Sequence, residues 1–193
     1  ESTLFDESQK INVDAFLESF RGLRIVKENP LVVEYYTDQV YLDAEYVAYD
    51  GAAMLWPYYA QGSGAWHNLA VGARAEANSE LAFSAAKADK LKVEWMSLIA
   101  GPSLPILAKH LNEAAAANYV PYASVLGKYI TAKEATARYA NLKKWYETKN
   151  HFWLGTGAFY LDQVRPIEKI AVLKRFEQFP DRADKWSEFV QAH

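Results

Sequence analysis

Residues 152–176 constrain the fold more than any other stretch. They read Phe152-Trp-Leu-Gly-Thr-Gly-Ala-Phe-Tyr-Leu161, then a polar turn, then Ile170-Ala-Val-Leu-Lys-Arg-Phe176. A short Gly-Thr-Gly step leads into one strand, and an almost wholly apolar strand follows. A strand without polar alternation is expected at the centre of its sheet, covered on both faces. Near the other end, Leu23-Arg-Ile-Val26 and Leu31-Val-Val-Glu-Tyr-Tyr36 flank Lys-Glu-Asn-Pro, which supplies turn chemistry. These segments predict a second β-hairpin.

Helical spacing fills the rest. Ala15, Phe16 and Phe20 predict a helix over 14–20, with Gly22 as its stop. Leu42, Tyr46, Tyr49 and Ala53 predict another over 41–55. Residues 56–64 are rich in turn residues and read as a loop, followed by a long helical region. There Leu81, Ala85, Ala88, Leu91, Trp95 and Leu98 make one apolar stripe. Gly101-Pro102 breaks it, and Ser103 can cap a helix carrying Leu104, Leu107, Leu111 and Ala115 on one face. Thr131 and Glu134 have capping-box spacing ahead of a stripe of Ala135, Tyr139, Leu142 and Tyr146, and Asn150 can end that helix. Trp186, Phe189 and Val190 predict a last short helix with these residues facing inward.

Strands at both ends with helices between them predict an α+β fold. The expected arrangement is two hairpins sharing one sheet, with a helical layer or subdomain between them in sequence. There is no internal repeat and no dividing linker, so 1–193 reads as a single domain. Apolar residues make up 51% of the chain, enough for a substantial core. The net charge is −3 with both signs interspersed, and no basic run is present to follow a phosphate backbone, so nucleic acid is not an expected partner. No apolar run approaches the roughly 18 residues of a spanning helix, so membrane insertion is not expected of this segment. The opening residues carry no basic start or apolar stretch of a signal peptide, and the first residue is Glu1, as in a mature form or an excised piece of a longer protein.

The residue types that carry chemistry are sparse. Cysteine is absent, which removes disulfides, thiolate catalysis and sulfur-based zinc sites. Gly155-Thr156-Gly157 is too short for a phosphate loop and leads into a strand, so it reads as a tight turn using glycine's backbone freedom. His110 and Glu113 are three apart on a helix but have no partners completing a metal set. No Gly-x-Ser-x-Gly elbow occurs. Asp38 and Asp43 could be imagined as an acid pair for sugar chemistry, but both sit where a turn or a helix start uses Asp. The expectation is a protein without catalytic residues, metal or cofactor. Trp145 and Trp95 read as core. Aromatic residues are in excess around the Gly-rich loop, and Trp56, Tyr58, Tyr59 and Trp66 are the candidate ligand contacts, since rigid aromatic faces order cheaply against a ligand.

The 152–176 block resembles the family 5 extracellular solute-binding proteins of ABC importers, which bind oligopeptides, dipeptides or nickel. Their recurring block is Gly-Thr-Gly-Pro-Tyr, a strand, a polar turn, and a strand ending Leu-x-Arg before an aromatic-rich segment. Here Gly155-Thr-Gly157 and Leu173-Lys-Arg175 match, followed by Phe176 and Phe179-Pro180; Ala158 stands for the usual Pro, and Phe159 precedes Tyr160. The hairpin over 23–36 fits the family's upstream order of strand, turn and strand. Gly101-Pro-Ser-Leu104 and Val120-Pro-Tyr122 fit a divergent branch. The resemblance implies one domain of a longer, two-lobed protein, periplasmic or extracellular, that closes over a peptide or similar solute and delivers it to the permease subunits of the transporter. It implies Gly155, Thr156 and Gly157 as structural markers of a lobe. The rival readings are a structural or protein-interaction domain that has lost the solute site, and a hydrolase whose Ser, His and acid meet only in the fold.

Overall fold

The computed structural model describes residues 4–47, 60–62, 64–155, 157–182, 184–185 and 187. Its class is α+β. A 3₁₀ turn, Glu7–Gln9, precedes α1, Lys10–Ser19. Two antiparallel strands follow, β1 (Phe20–Glu28) and β2 (Leu31–Thr37), joined at the cis Asn29-Pro30 bond. Next come α2 (Trp66–Ala77), the two-residue β3 (Leu81–Ala82), α3 (Ala85–Leu91) and the two-residue β4 (Glu94–Trp95). Then follow α4 (Ser103–Ala116), the short α5 (Ala123–Leu126) and α6 (Ala132–Lys149). β5 (Phe159–Arg165) and β6 (Ile170–Arg175) close the set.

The core lies where α2, α4 and α6 meet. Val71 and Ala75 of α2, Leu107, Leu111 and Ala114 of α4, and Ala135, Tyr139 and Leu142 of α6 each repeat at three or four residues, so each helix turns one stripe inward. Phe152, Leu81, Phe83, Met96 and Leu98 fill the space between them. Gly72 brings α2 close to the β3–β4 segment: a Cβ there would stand 2.8 Å from Phe83 Cζ and 3.0 Å from Met96 Sδ. A buried ion pair joins α2 to α3. Lys87 Nζ lies 3.3 Å from Glu76 Oε2, while Glu76 Oε1 accepts from the Phe83 N–H at 3.0 Å.

Local signals produced the expected local structure at several places. Thr131 caps α6, its Oγ1 accepting from the Glu134 N–H at 3.1 Å. Asn150 ends the helix in the left-handed region, φ 57°. The reciprocal half of the capping box is replaced: the Glu134 carboxylate pairs with Arg138 at 3.1 Å. Both hairpins form, and their registers pair Leu23 with Tyr35 and Leu161 with Leu173.

The expected shared sheet does not form. Among the described residues β1–β2, β3–β4 and β5–β6 are three separate two-stranded sheets. β6 is therefore an edge strand; Ile170 and Leu173 are exposed, where a central position had been expected. The apolar run was a sign of composition, and composition does not choose a strand's neighbours. The helix expected through 81–98 is interrupted as well. Ser79 (φ 55°) reverses the chain after α2, Ser84 starts α3 by accepting from the Lys87 N–H, and Lys92 (φ 58°) stops it. Leu81 and Ala82 then pair in parallel with Glu94 and Trp95. Trp95 is half exposed, its Nε1–H bonded to Phe83 O at 3.0 Å, and is not core. Trp145 is half-buried. Ser103 is the first residue of α4 and its hydroxyl caps nothing there, accepting instead from the Ser97 N–H at 3.0 Å. Of the helix expected over 41–55, residues 44–47 are helical, 41–43 are not, and the rest lie outside the described residues. The last helix expected near Trp186 lies almost wholly outside them too.

Candidate functional site

The site begins with the loop that precedes α2. Gln61 is buried and its Nε2 donates to Met96 O at 2.6 Å, fastening the loop to the end of the β4 segment. Gly62 follows in the left-handed region, φ +68°, which glycine adopts without a Cβ penalty. Its position faces the chain leaving α6: a Cβ there would lie 3.9 Å from Trp153 Cη2. Asn68, on the first turn of α2, donates from Nδ2 to Phe152 O at 2.9 Å. Phe152 N–H in turn donates to Leu98 O at 2.7 Å. Gln61 and Asn68, Met96 and Leu98, and Phe152, distant in sequence, are thus tied together by two side-chain bonds and one backbone bond to carbonyls.

That arrangement fixes amide orientations. Each amide nitrogen is spent on a carbonyl, which can only accept, so Gln61 Oε1 and Asn68 Oδ1 are acceptors. Among the described residues both are buried with no hydrogen-bond partner, as is Nδ1 of the buried His67. Buried polar atoms in native proteins normally have a partner in protein, ordered water or ligand. His67 sits edge-on to Trp66 at 5.5 Å and to Tyr139 at 6.5 Å between ring centroids. Burial, with a smaller effect from the Arg138 charge, lowers its pKa to about 4, so the ring is neutral at pH 7. Trp153 stands at the surface beside the loop, about a third exposed. Gln61 Oε1 and Asn68 Oδ1 are thus acceptors closed off from solvent, and the Trp153 ring stands beside Gly62 of the loop.

Of the residues singled out from sequence, Trp66 is half-buried and its ring packs edge-on against Tyr139 at 5.8 Å. Part of it therefore serves the core. Trp56, Tyr58 and Tyr59 lie outside the described residues, as does Thr156. Gly155 and Gly157 have no atom within 4 Å of where a Cβ would stand, and Gly155 is not in the left-handed region. Thr156, the middle of the expected turn, lies outside the described residues, so the turn itself does too. Asp38 pairs with Arg21, and Asp43 Oδ1 accepts from the Glu45 N–H as a helix-start residue does.

His110 is buried between two carboxylates. Its Nε2 is 3.1 Å from Glu80 Oε2, and its Nδ1 is 3.2 Å from Glu113 Oε2 but without hydrogen-bond alignment. The Lys109 ammonium, bonded to the same Glu80, keeps that carboxyl below the usual range. No group of three or more metal-ligating side chains comes together among the described residues. No helix there is long and apolar enough to cross a membrane. Among the described residues no histidine ring is hydrogen-bonded to a serine or threonine hydroxyl. None of Gln61, Asn68, His67 and Trp153 was singled out from sequence as a contact; the signals near them were Gly62 and Gly64 and the aromatic excess around that loop.

Comparison with protein-family models and with curated proteins finds no match to this chain.

Proposed function

We propose that the chain is a domain of a solute-binding protein serving an ABC importer, binding a peptide or similar small solute by lobe closure and passing it to permease subunits in a periplasmic or extracellular setting. The observation that carries this reading is the 152–176 block. Its residues follow the order of the family they resemble, Gly155-Thr-Gly157, strand, turn, and strand ending Leu173-Lys-Arg175. Its first residues, Phe152 and Trp153, border the loop with the unpaired acceptors. Recognition would use amide acceptors and an aromatic face, with no covalent step and no cofactor.

One observation favours a second reading, a structural or protein-interaction domain without a solute site. The hairpins belong to separate sheets, so the architecture lends the transport reading no support beyond the residue block. Their apolar side chains stand exposed, among them Leu31, Phe159 and Leu173.

A thermal-shift titration of the chain against short peptides and oligosaccharides separates the two. A ligand that binds only the folded state raises Tm by the free energy RT ln(1 + [L]/Kd). A saturable rise with one class, abolished by Trp153→Ala, supports the solute site and names the solute. No rise with any ligand in either class removes the solute reading and leaves the interaction domain.

A further inference from the structure

The arm formed by α1, β1 and β2 has no buried residue. A two-stranded ribbon is marginally stable at best in water; it needs a third strand or another element packed on its apolar face. The register shows which face that is. β2 runs regularly from Leu31 to Thr37, and the two register shifts fall on β1, at Arg21 and Val26. Alternation therefore puts Leu31, Val33 and Tyr35 on one face of β2, and Val32, Glu34 and Tyr36 on the other. Cross-strand partners share a face: Leu23 joins Tyr35, Ile25 joins Val33, and Arg24 joins Glu34. Side-chain contacts agree. The Phe20 ring stacks on Tyr35 at 5.7 Å, while the Tyr36 hydroxyl donates to the Glu34 carboxylate.

The two faces differ in character. One carries Phe20, Leu23, Ile25, Leu31, Val33 and Tyr35. Leu23, Leu31 and Val33 are exposed, and the other three are half-buried. Together they leave on the order of 500 Å² of apolar side chain open to solvent, as much as the largest patch on a typical monomer. Among the residues paired on that face only Glu28, at its tip opposite Leu31, is charged. The other face holds the ionic groups, with Arg24 and Glu34 paired at 3.0 Å. Arg21, at the first bulge, is taken up by Asp38.

We propose that a second copy of this chain covers the apolar face, two β1–β2 hairpins packing face to face about a two-fold axis as a four-stranded sandwich. The inference goes beyond both readings of function and depends on neither. The charge pattern selects the occupant. A partner recognised by charge would find nothing on this face to pair with, whereas two copies bring leucine, valine and tyrosine onto their like without burying a charge. With the hairpins antiparallel, the two Glu28 carboxylates stand at opposite ends and do not meet. Closing the two faces removes on the order of 1,000 Å² from water, enough for a specific but reversible interface. Pairing along the strand edges is a poorer solution. The β1 edge is blunted by its two bulges and by Arg21, Arg24 and Lys27. Pairing at the β2 edge would widen the apolar face without covering it.

The test uses Val32 and Val33, neighbours of one residue type, each 43% exposed, on opposite faces. In sedimentation equilibrium of the whole chain, the wild type should pass from monomer to dimer between about 1 and 200 µM. Val33→Lys should weaken the dimer at least about tenfold, because a two-fold contact buries the new charge twice. Val32→Lys should leave it within about twofold. A wild type that stays monomeric overturns the proposal and leaves the face to a different partner. Equal weakening by both variants, as edge pairing at β2 would give, overturns it too, as do weakening by neither and assembly beyond the dimer. Should Val33→Lys fail to fold, amide hydrogen exchange of the wild type decides. Protection of β1 and β2 that rises with protein concentration while α2, α4 and α6 keep theirs supports the proposal; protection independent of concentration overturns it.

Discussion

His67 should make the helical core acid-labile, by an amount the structure allows to be worked out. Its ring is buried on the first turn of α2 between Trp66 and Tyr139, and its folded-state pKa is about 4 against an ordinary 6.5. A lowered folded-state value means that the unfolded chain takes up the proton first as pH falls. The stabilisation is complete above pH ~6.5, declines through the window down to pH ~4, and is gone below it. At about 1.36 kcal/mol per pKa unit the full difference is about 3.4 kcal/mol. Screening by the solvent that reaches the site reduces this to about 2 kcal/mol. Urea unfolding followed by tryptophan fluorescence at about pH 7.5, 6, 5 and 4.5 gives the stability at each pH by linear extrapolation. His67→Phe keeps an aromatic ring against Trp66 and Tyr139 and removes the titration. The wild type should lose stability relative to His67→Phe as pH falls from ~6.5 to ~4, by about 2 kcal/mol in all. Because both proteins share every other acid-sensitive group, the difference isolates His67. Parallel stability curves across the window, or a wild-type ring that titrates near 6.5 by NMR, would refute the reasoning.

Three further outcomes are expected. Gly72→Ala should destabilise by about 1 kcal/mol in urea unfolding, because the added Cβ overpacks Phe83 and Met96 at a cost of about 1–3 kcal/mol while alanine's better helix propensity returns about 1; a stabilised variant would show that the contact is loose. Tyr139→Phe removes the hydroxyl that donates to Tyr119 O at 2.8 Å and should cost about 1 kcal/mol or more by leaving that carbonyl short of a donor, measured by the same unfolding curves. Gly155→Ala should leave thermal stability unchanged or raise it by about 0.4–1 kcal/mol through the unfolded state, since nothing crowds the position and its φ is not left-handed; a loss above about 1 kcal/mol would restore the view that the turn requires glycine.

What the sequence disclosed was whatever a short window encodes. Thr131 before α6, Asn150 after it, the 3–4 stripes of α4 and α6 and both hairpins depend on residues within a few positions of one another. Sheet membership does not: whether β2 lies beside β5 depends on pairing between strands far apart in the chain, and an apolar run such as Ile170–Leu173 reads the same at a centre and at an edge. The stripe through 81–98 misled because spacing was kept while Ser79, Ser84 and Lys92 cut the backbone. The candidate site was the least legible part. Its bonds join Gln61 to Met96 and Asn68 to Phe152, and polar side chains that close such long loops carry no periodicity. The aromatic count drew attention to the loop before α2. It could not show that Trp66 would turn partly to the core while Trp153, from the far end of the chain, would stand beside Gly62.

The Glu76–Lys87 pair that ties α2 to α3 ties two positions of the sequence as well. Removing one partner alone takes from a buried charge the pairing that offsets its desolvation, at up to about 3–5 kcal/mol, whereas replacing both by neutral groups of similar size is often neutral or better. Glutamine at 76 would keep an acceptor for the Phe83 N–H, and methionine at 87 would keep the stem's packing. Divergence at this spot therefore has to cross a valley: one substitution is punished until the second arrives. Among descendants of a common ancestor, positions 76 and 87 should change in step or not at all, a covariation that would reveal the packing of α2 against α3 to a reader with no coordinates.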